Sequence, residues 1–343
     1  MTQPRAKLRL VDVAAKAGVS LATASRAMTG RDGISKELAL HVQGIAAELG
    51  YVANAHARSL AGGIATSIGL VVHEIGDPYF AEIASGVIRV AAGRSRLVQI
   101  SHADRTPESE TQQVRMMRSH LVGALIIAGS GYTDPRLEKG LGEELRDYER
   151  EGGRVAVIGR HDLQVDAVLP DNEGAGFSLG QHIRELGHRR IGVVCGPSLL
   201  NTVSDRLAGL MRAMHEGGVN PGEMKFYNGP FTREGGVVGT HELLARDPDL
   251  TAIVAMNDAM AVGVLHALRG KGIAVPGQIS VAGFDDITVA ADVAPSLTTV
   301  RLPMATMGAL AVELILLPPA SRPRRKQTGH QLVVRDSTGP ARA

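Results

Sequence analysis

The sequence predicts an all-α helix-turn-helix domain followed by a two-lobed α/β domain. Over residues 10–50, three stretches of helical periodicity are separated by short turns marked by Gly and Ser. From Ser67 onward, short apolar runs alternate with amphipathic ones. The charge is uneven as well: the chain carries a net +2, yet residues 1–63 hold 8 Lys/Arg against 4 Asp/Glu.

Val11 to Ala17 reads as a short helix with Val13, Ala14 and Ala17 on one apolar face, and Gly18 permits the tight turn that ends it. Ser20 is placed as the N-cap of a second helix running through Met28. With so little chain between them, the two helices must cross steeply. The second helix carries Ala22, Thr23, Ala24, Ser25 and Ala27, small enough for its backbone to approach a DNA major groove closely. Arg26 is suited to a bidentate contact with guanine, Leu21 and Ala22 offer apolar surface to thymine methyls, and Ser20, Thr23 and Ser25 offer hydroxyls to phosphates or bases.

A third helix is predicted from Ser35, with Leu38, Val42, Ile45 and Leu49 as a buried stripe and Gly50 as its terminator. The following segment, Asn54 to Gly63, is too polar and Gly-rich for a core, but Ala55 to Leu60 has the composition of a helix that needs outside support.

Asp12-Val13-Ala14, Ala17-Gly18-Val19-Ser20, Thr23-Ala24-Ser25-Arg26 and the run from Gly50 to Leu60 together resemble the LacI/GalR family of transcriptional regulators. The resemblance covers nearly the whole chain. It implies a hinge helix that forms on operator DNA, with Asn54, Arg58 and Leu60 as contacts and Leu60 levered into the minor groove. Ala53 stands where the family has proline, and Leu38-Ala39 where it has Thr-Arg. The domain reading is residues 1–52 for DNA binding, 53–64 for hinge and linker, 65–336 for effector binding and dimerisation, and 337–343 as a flexible tail.

In the second domain, SIGLVV, LVQIS, GALIIA and RVAVIG read as strands, with helices near residues 80–93, 108–120 and 141–152. A second set follows: RIGVVC, KFYN, TAIVAM and ISVAGF, with helices near 174–186, 204–217, 233–245 and 259–269. LTTVRL, a helix near 304–317 and HQLVVR are too little for a third core. The resemblance implies a type I periplasmic-binding-protein-like arrangement with crossings near Val168, Pro295 and Arg322. One lobe would then hold about 65–167 and 298–320, the other about 169–295 and 326–336.

Open α/β sheets bind ligands beyond the carboxyl ends of their strands. Those positions carry Asp77, Tyr79 and Phe80 after SIGLVV, Ser130 after GALIIA, Arg160 after RVAVIG, Asn257 and Asp258 after TAIVAM, and Asp285 and Asp286 after ISVAGF. Carboxylates, amides and guanidiniums over an aromatic face suit the hydroxyls of a sugar or nucleoside. By family resemblance Arg206, Asn257 and Asp285 are effector contacts, while Arg160 and Leu200 lie at a variable rim that selects the ligand. Asp258 and Asp286 read as caps, and LGHRR as a helix end without functional role.

Enzyme chemistry finds little support. Cys195 ends an apolar strand, the histidines lack metal-ligand spacing, and neither G-x-G-x-x-G after a strand nor G-x-x-x-x-G-K-[ST] occurs. No catalytic residue, metal or cofactor is expected. A single Cys, an N-terminus without an apolar core and no membrane-length run predict a cytoplasmic protein without membrane association. The expectation is a homodimeric repressor on a near-palindromic double-stranded operator, released by a small sugar-like effector. The alternatives are a corepressor system for a purine or phosphorylated metabolite, and a solute-binding protein without transcriptional role.

Overall fold

The computed structural model describes residues 8–29, 33–51 and 67–342. Two compact units make up the chain, the helical one first.

The helical unit contains α1 (Leu10–Ala17), α2 (Leu21–Thr29) and α3 (Lys36–Leu49). Gly18 adopts φ +67°, which lets the Val19 N–H reach back to the Ala14 carbonyl (3.0 Å) and turns the chain towards α2. Ser20 Oγ accepts from the Thr23 N–H (3.1 Å), forming the predicted cap, and Ser35 Oγ accepts from the Leu38 N–H (3.2 Å) where the third helix was expected to begin. The core is Val13, Ala14, Ala24, Ala27, Val42 and Ala46, with Leu38, Ile45 and Leu49 packed around it half-buried. Its small side chains let three short helices approach closely, and Gln43 Nε2 donates to the Ala27 carbonyl (2.8 Å) to fasten α3 to the end of α2.

The second unit begins with β1 (Ser67–Val72), α4 (Pro78–Ala92), β2 (Leu97–His102), α5 (Pro107–Ser119), β3 (Ala124–Ala128), α6 (Lys139–Arg150), β4 (Arg154–Ile158) and β5 (Asp166–Pro170). It continues with α7 (Asn172–Glu185), β6 (Ile191–Val194), α8 (Asn201–Glu216), β7 (Met224–Tyr227), α9 (Arg233–Arg246), β8 (Ala252–Ala255), α10 (Asp258–Gly270) and β9 (Ser280–Ala282). The last elements are α11 (Val289–Asp292), β10 (Thr299–Arg301), α12 (Met304–Leu316), β11 (Arg325–Thr328) and β12 (Gln331–Val333). The first sheet runs β11-β5-β4-β3-β1-β2, and the second β7-β6-β8-β9, each parallel throughout. The antiparallel pair β10-β12 joins the second sheet through the bridges Ala282↔Thr298 and Asp285↔Arg301.

These pairings move the lobe boundaries expected from sequence. Residues 299–301, assigned to the first lobe, pair in the second, while 325–328, most of them assigned to the second lobe, pair with β5 in the first. The chain therefore crosses between β5 and α7, between β10 and α12 and between β11 and β12. β11 escaped notice because Arg-Lys-Gln-Thr is a polar, largely exposed edge strand without apolar alternation. The tail is also corrected. Ser337 Oγ donates to the Val281 carbonyl, the Gly339 N–H reaches Ser280 Oγ (3.0 Å), and the Ala341 N–H reaches the Leu186 carbonyl (2.8 Å), so residues 337–341 are pinned to the second lobe.

Glycines set how closely α7 and α8 pack. A Cβ on Gly176 would lie 2.0 Å from the Arg206 carbonyl oxygen, and one on Gly209 2.0 Å from that of Glu173. Gly176→Ala must push the helices apart, and we expect a loss of about 1–3 kcal/mol, read as a lowered urea midpoint with unchanged m-value.

Candidate functional site

Two places in the molecule gather the residues singled out by sequence. The first is α2. Ala24 and Ala27 are buried against α1 and α3, so Leu21, Ala22 and Arg26 face solvent on the opposite side, with Ser25 partly exposed beside them. Leu21 is 52% exposed, so its side chain is not spent on the core of the helical unit. Ser20 and Thr23 are linked to each other (Oγ to Oγ1, 2.9 Å), which ties both hydroxyls to helix initiation. Asn54, Arg58 and Leu60 lie outside the described residues.

The second place is a cavity between the two lobes of the α/β unit. Asp77, Tyr79, Phe80, Ser130, Asn257 and Asp285, expected from strand ends, all line it, as do Leu200 and Arg206, expected from the family resemblance. On one side the lobes are stitched by backbone: Tyr132 bridges Leu200, the Thr133 N–H reaches the Leu199 carbonyl (2.8 Å), and the Asn201 N–H reaches that of Gly131 (2.9 Å). Ser130 Oγ donates to the Gly131 carbonyl (2.9 Å) and accepts from the Thr202 N–H (2.8 Å), so its hydroxyl belongs to this seam.

Arg206 and Asp285 are buried, 2% and 4% exposed, and paired at 2.7 Å. Arg206 Nε donates to Asn172 Oδ1 (3.0 Å), Nη1 to the Met256 carbonyl (2.5 Å) and Nη2 to Asp285 Oδ1, while its guanidinium lies 4.5 Å from the centre of the Phe284 ring. Burial raises the Asp285 pKa against the opposing pull of Arg206. The backbone of Asp285 has φ +104°, a strained left-handed conformation that aims the carboxylate at Arg206. Asn257 Oδ1 accepts from the Met260 N–H (2.9 Å) and caps α10, which engages the oxygen of its amide.

On the facing lobe, Asp77 caps α4 through Tyr79 N–H (3.0 Å to Oδ1). Burial, with the charge of Asp285 second, pushes its carboxyl up to about 6. Tyr79 and Phe80 meet edge to face, their centroids 5.0 Å apart, and burial raises the Tyr79 hydroxyl above its ordinary value.

Several expectations change. Arg160 does not line the cavity: its guanidinium is half-exposed and held by Asp205 (Nη2 to Oδ1, 2.6 Å). Asp258 is not the cap of α10, a role taken by Asn257; it is fully buried and accepts from Thr299 Oγ1 (2.6 Å) and the Ile287 N–H (3.0 Å). Asp286 is paired with Arg301 (2.6 Å) and Arg335 (2.7 Å) rather than capping. His188, in LGHRR, is buried between Thr251 Oγ1 and the Gly339 carbonyl (3.0 Å each), where it fastens the tail. The Cys195 thiol is buried and pushed up to about 12, as fits packing rather than nucleophilic attack.

The lining also includes polar and aromatic side chains that sequence reasoning did not place there, among them His73, Arg105, Thr202 and Phe231. His73 immediately follows β1, so the strand-end rule that found Asp77 extends to it. Its Nε2 lies 2.7 Å from Glu110 Oε1, which also accepts the Tyr132 hydroxyl (2.8 Å). Arg105 and Phe231 follow β2 and β7 more closely than Asp77 follows β1, so the same rule reaches them when it is applied to those two strands.

Comparison with known proteins places these two sites together. Residues 9–54 match the family model "Bacterial regulatory proteins, lacI family" and residues 181–338 the "Periplasmic binding protein-like domain" model. The chain is 32% identical over 314 residues to the HTH-type transcriptional regulator GalR of Escherichia coli K12, covering 91% of this chain and 89% of that protein. It is 33% identical to the HTH-type transcriptional regulator CelR of Thermobifida fusca, covering 95% and 96%. A solved CelR–cellobiose complex matches at TM-score 0.70 and 30% identity over 96% of this chain and 99% of that one. The lac repressor dimer bound to operator and the anti-inducer ONPF shares the fold, at TM-score 0.83 and 24% identity over 97% of this chain and 100% of that one. The chain belongs to the LacI family of bacterial regulatory proteins.

Proposed function

We propose that this protein is a sugar-responsive transcriptional repressor, acting in the cytoplasm as a homodimer and not as an enzyme. The observation that carries the reading is the cavity. The Asp285 carboxylate, the Asn257 amide and Asp77 are polar groups suited to ring hydroxyls, set beside the Tyr79 and Phe80 rings. The contact face of α2 supplies the other half, with Leu21, Ala22, Ser25 and Arg26 reading operator base edges, and Asn54, Arg58 and Leu60 serve the hinge. A cellobiose-bound relative and an operator-bound lac repressor support both halves.

A homodimer follows from the energetics of half-site reading, because one such module binds too weakly to hold an operator alone. Leu97 and Ile100 on the edge strand β2 and Ile88 of α4 are exposed apolar side chains of the first lobe, which we assign to contact with a second copy. The effector acts by differential affinity: a ligand that fits one lobe separation better than another shifts the dimer towards or away from the DNA-binding form. Fluorescence anisotropy on a selected palindromic duplex, with and without a sugar panel, tests the reading, and failure to select any duplex contradicts it.

The raised Asp77 pKa gives a further test. Above pH ~6 the folded protein holds a carboxylate that burial disfavours, a cost absent below the unfolded value near 4. Asp77→Asn keeps an acceptor for the Tyr79 N–H. We therefore expect the variant to be more stable than wild type by on the order of 1–2 kcal/mol at pH 7.5, the gain fading as pH falls to ~4. Thermal melts of both proteins at the two pH values check this, and an equal difference at both would count against it.

A further inference from the structure

Two arginines line the cavity, and they stand in opposite conditions. Arg206 has each guanidinium nitrogen committed, to Asn172, the Met256 carbonyl and Asp285. Arg105 has no hydrogen-bond acceptor among the described residues. Its side chain is only 20% exposed, so much of the guanidinium is also withdrawn from water. The nearest carboxylate oxygen, Asp77 Oδ2, is 3.8 Å away, beyond hydrogen-bond length, and the same carboxyl is held on its other oxygen by the Tyr79 N–H. Phe80 lies 5.9 Å and Phe231 5.3 Å from the guanidinium carbon, ring centroid to Cζ. These rings shield the cation and give it no acceptor.

We propose that Arg105 is the specificity-determining residue of the cavity and that the effector carries an oxyanion, a carboxylate or a phosphate, which docks on it. The inference rests on the sugar reading above and narrows it to acidic sugars. A guanidinium partly stripped of water and without an acceptor gains more from a bidentate oxyanion than from a lone hydroxyl, because the planar fork matches two oxygens at once. The hydroxyls of the same ligand have their own partners among the lining residues, in Asp285 and Asn257. The charge of Arg206 is already matched by the Asp285 carboxylate at 2.7 Å, which would repel an anion docked beside it. The Arg105 loop comes from the first lobe and Phe231 from the second, so a ligand seated on Arg105 contacts both lobes and biases their separation.

The test is calorimetric titration of the full-length protein with a panel of neutral hexoses and pentoses, each paired with its uronate or aldonate and with its phosphate ester. The expected result is that at least one acidic sugar binds about tenfold or more tightly than its neutral parent. Arg105→Gln should bring the two within about twofold, while Arg105→Lys keeps part of the preference. The carboxylate and phosphate arms distinguish the two oxyanions. A cooperative melt near that of wild type verifies that each variant is folded. Neutral sugars binding as tightly as acidic ones, or a preference that survives Arg105→Gln, overturns this inference and leaves the sugar reading standing. Binding by neither class overturns both.

Discussion

Arg206→Ala is expected to abolish release of DNA by the effector and to destabilise the protein by about 3–5 kcal/mol. Both effects have one origin. Asp285, 4% exposed, would keep its place without the cation that compensates its burial, and Asn172 Oδ1 and the Met256 carbonyl would lose their donor as well. Removing both partners should be less harmful than the sum of the single losses, because Arg206→Ala with Asp285→Ala leaves no lone buried charge. A double-mutant cycle in urea therefore gives a favourable coupling energy, and strict additivity would show that the pair contributes only through packing. Asp285→Ala alone should likewise lose the response to effector. Its operator affinity in the absence of effector should stay within a few-fold of wild type, since α2 belongs to the other compact unit.

The second large effect concerns α2. Arg26→Ala removes the long cationic side chain from the exposed face defined by Leu21, Ala22 and Ser25. A bidentate arginine–guanine contact contributes about 1–3 kcal/mol, and a dimer uses it twice, so operator affinity should fall by about 2–6 kcal/mol. Discrimination at one base pair in each half-site should relax in parallel. Anisotropy titrations against a set of single-base operator variants separate the cases. A uniform loss across all of them, with a reduced salt slope, would make Arg26 a phosphate contact instead.

What the sequence disclosed follows from which signals are local. The helix-turn-helix could be read because Gly18, Ser20, Ser35 and Gly50 act on their own neighbours, and each lies at the predicted helix start or end. The buried parallel strands could be read because Ile, Val, Leu and Ala runs such as β3 lie wholly inside. The pinned tail and β11 could not, since Ser337, Gly339 and the polar run Arg325–Thr328 depend on partners more than fifty residues away in sequence. In the cavity, Asp77, Asn257 and Asp285 follow β1, β8 and β9 and were found, while Arg105 and Phe231 follow β2 and β7, strands whose ends were not among those singled out. Arg160 failed for another reason: its position beyond a strand end is right, but Asp205 on α8 captures the side chain.

The measurement that bears most directly on the central claim is operator release. Full-length protein would be bound to a near-palindromic duplex obtained by in vitro selection, and anisotropy followed at fixed salt while neutral and acidic sugars are added. A sugar that dissociates the wild-type complex but leaves the Asp285→Ala complex intact is the predicted result. A selected operator that no sugar releases, or release that persists undiminished in Asp285→Ala, would contradict control of DNA binding through this cavity.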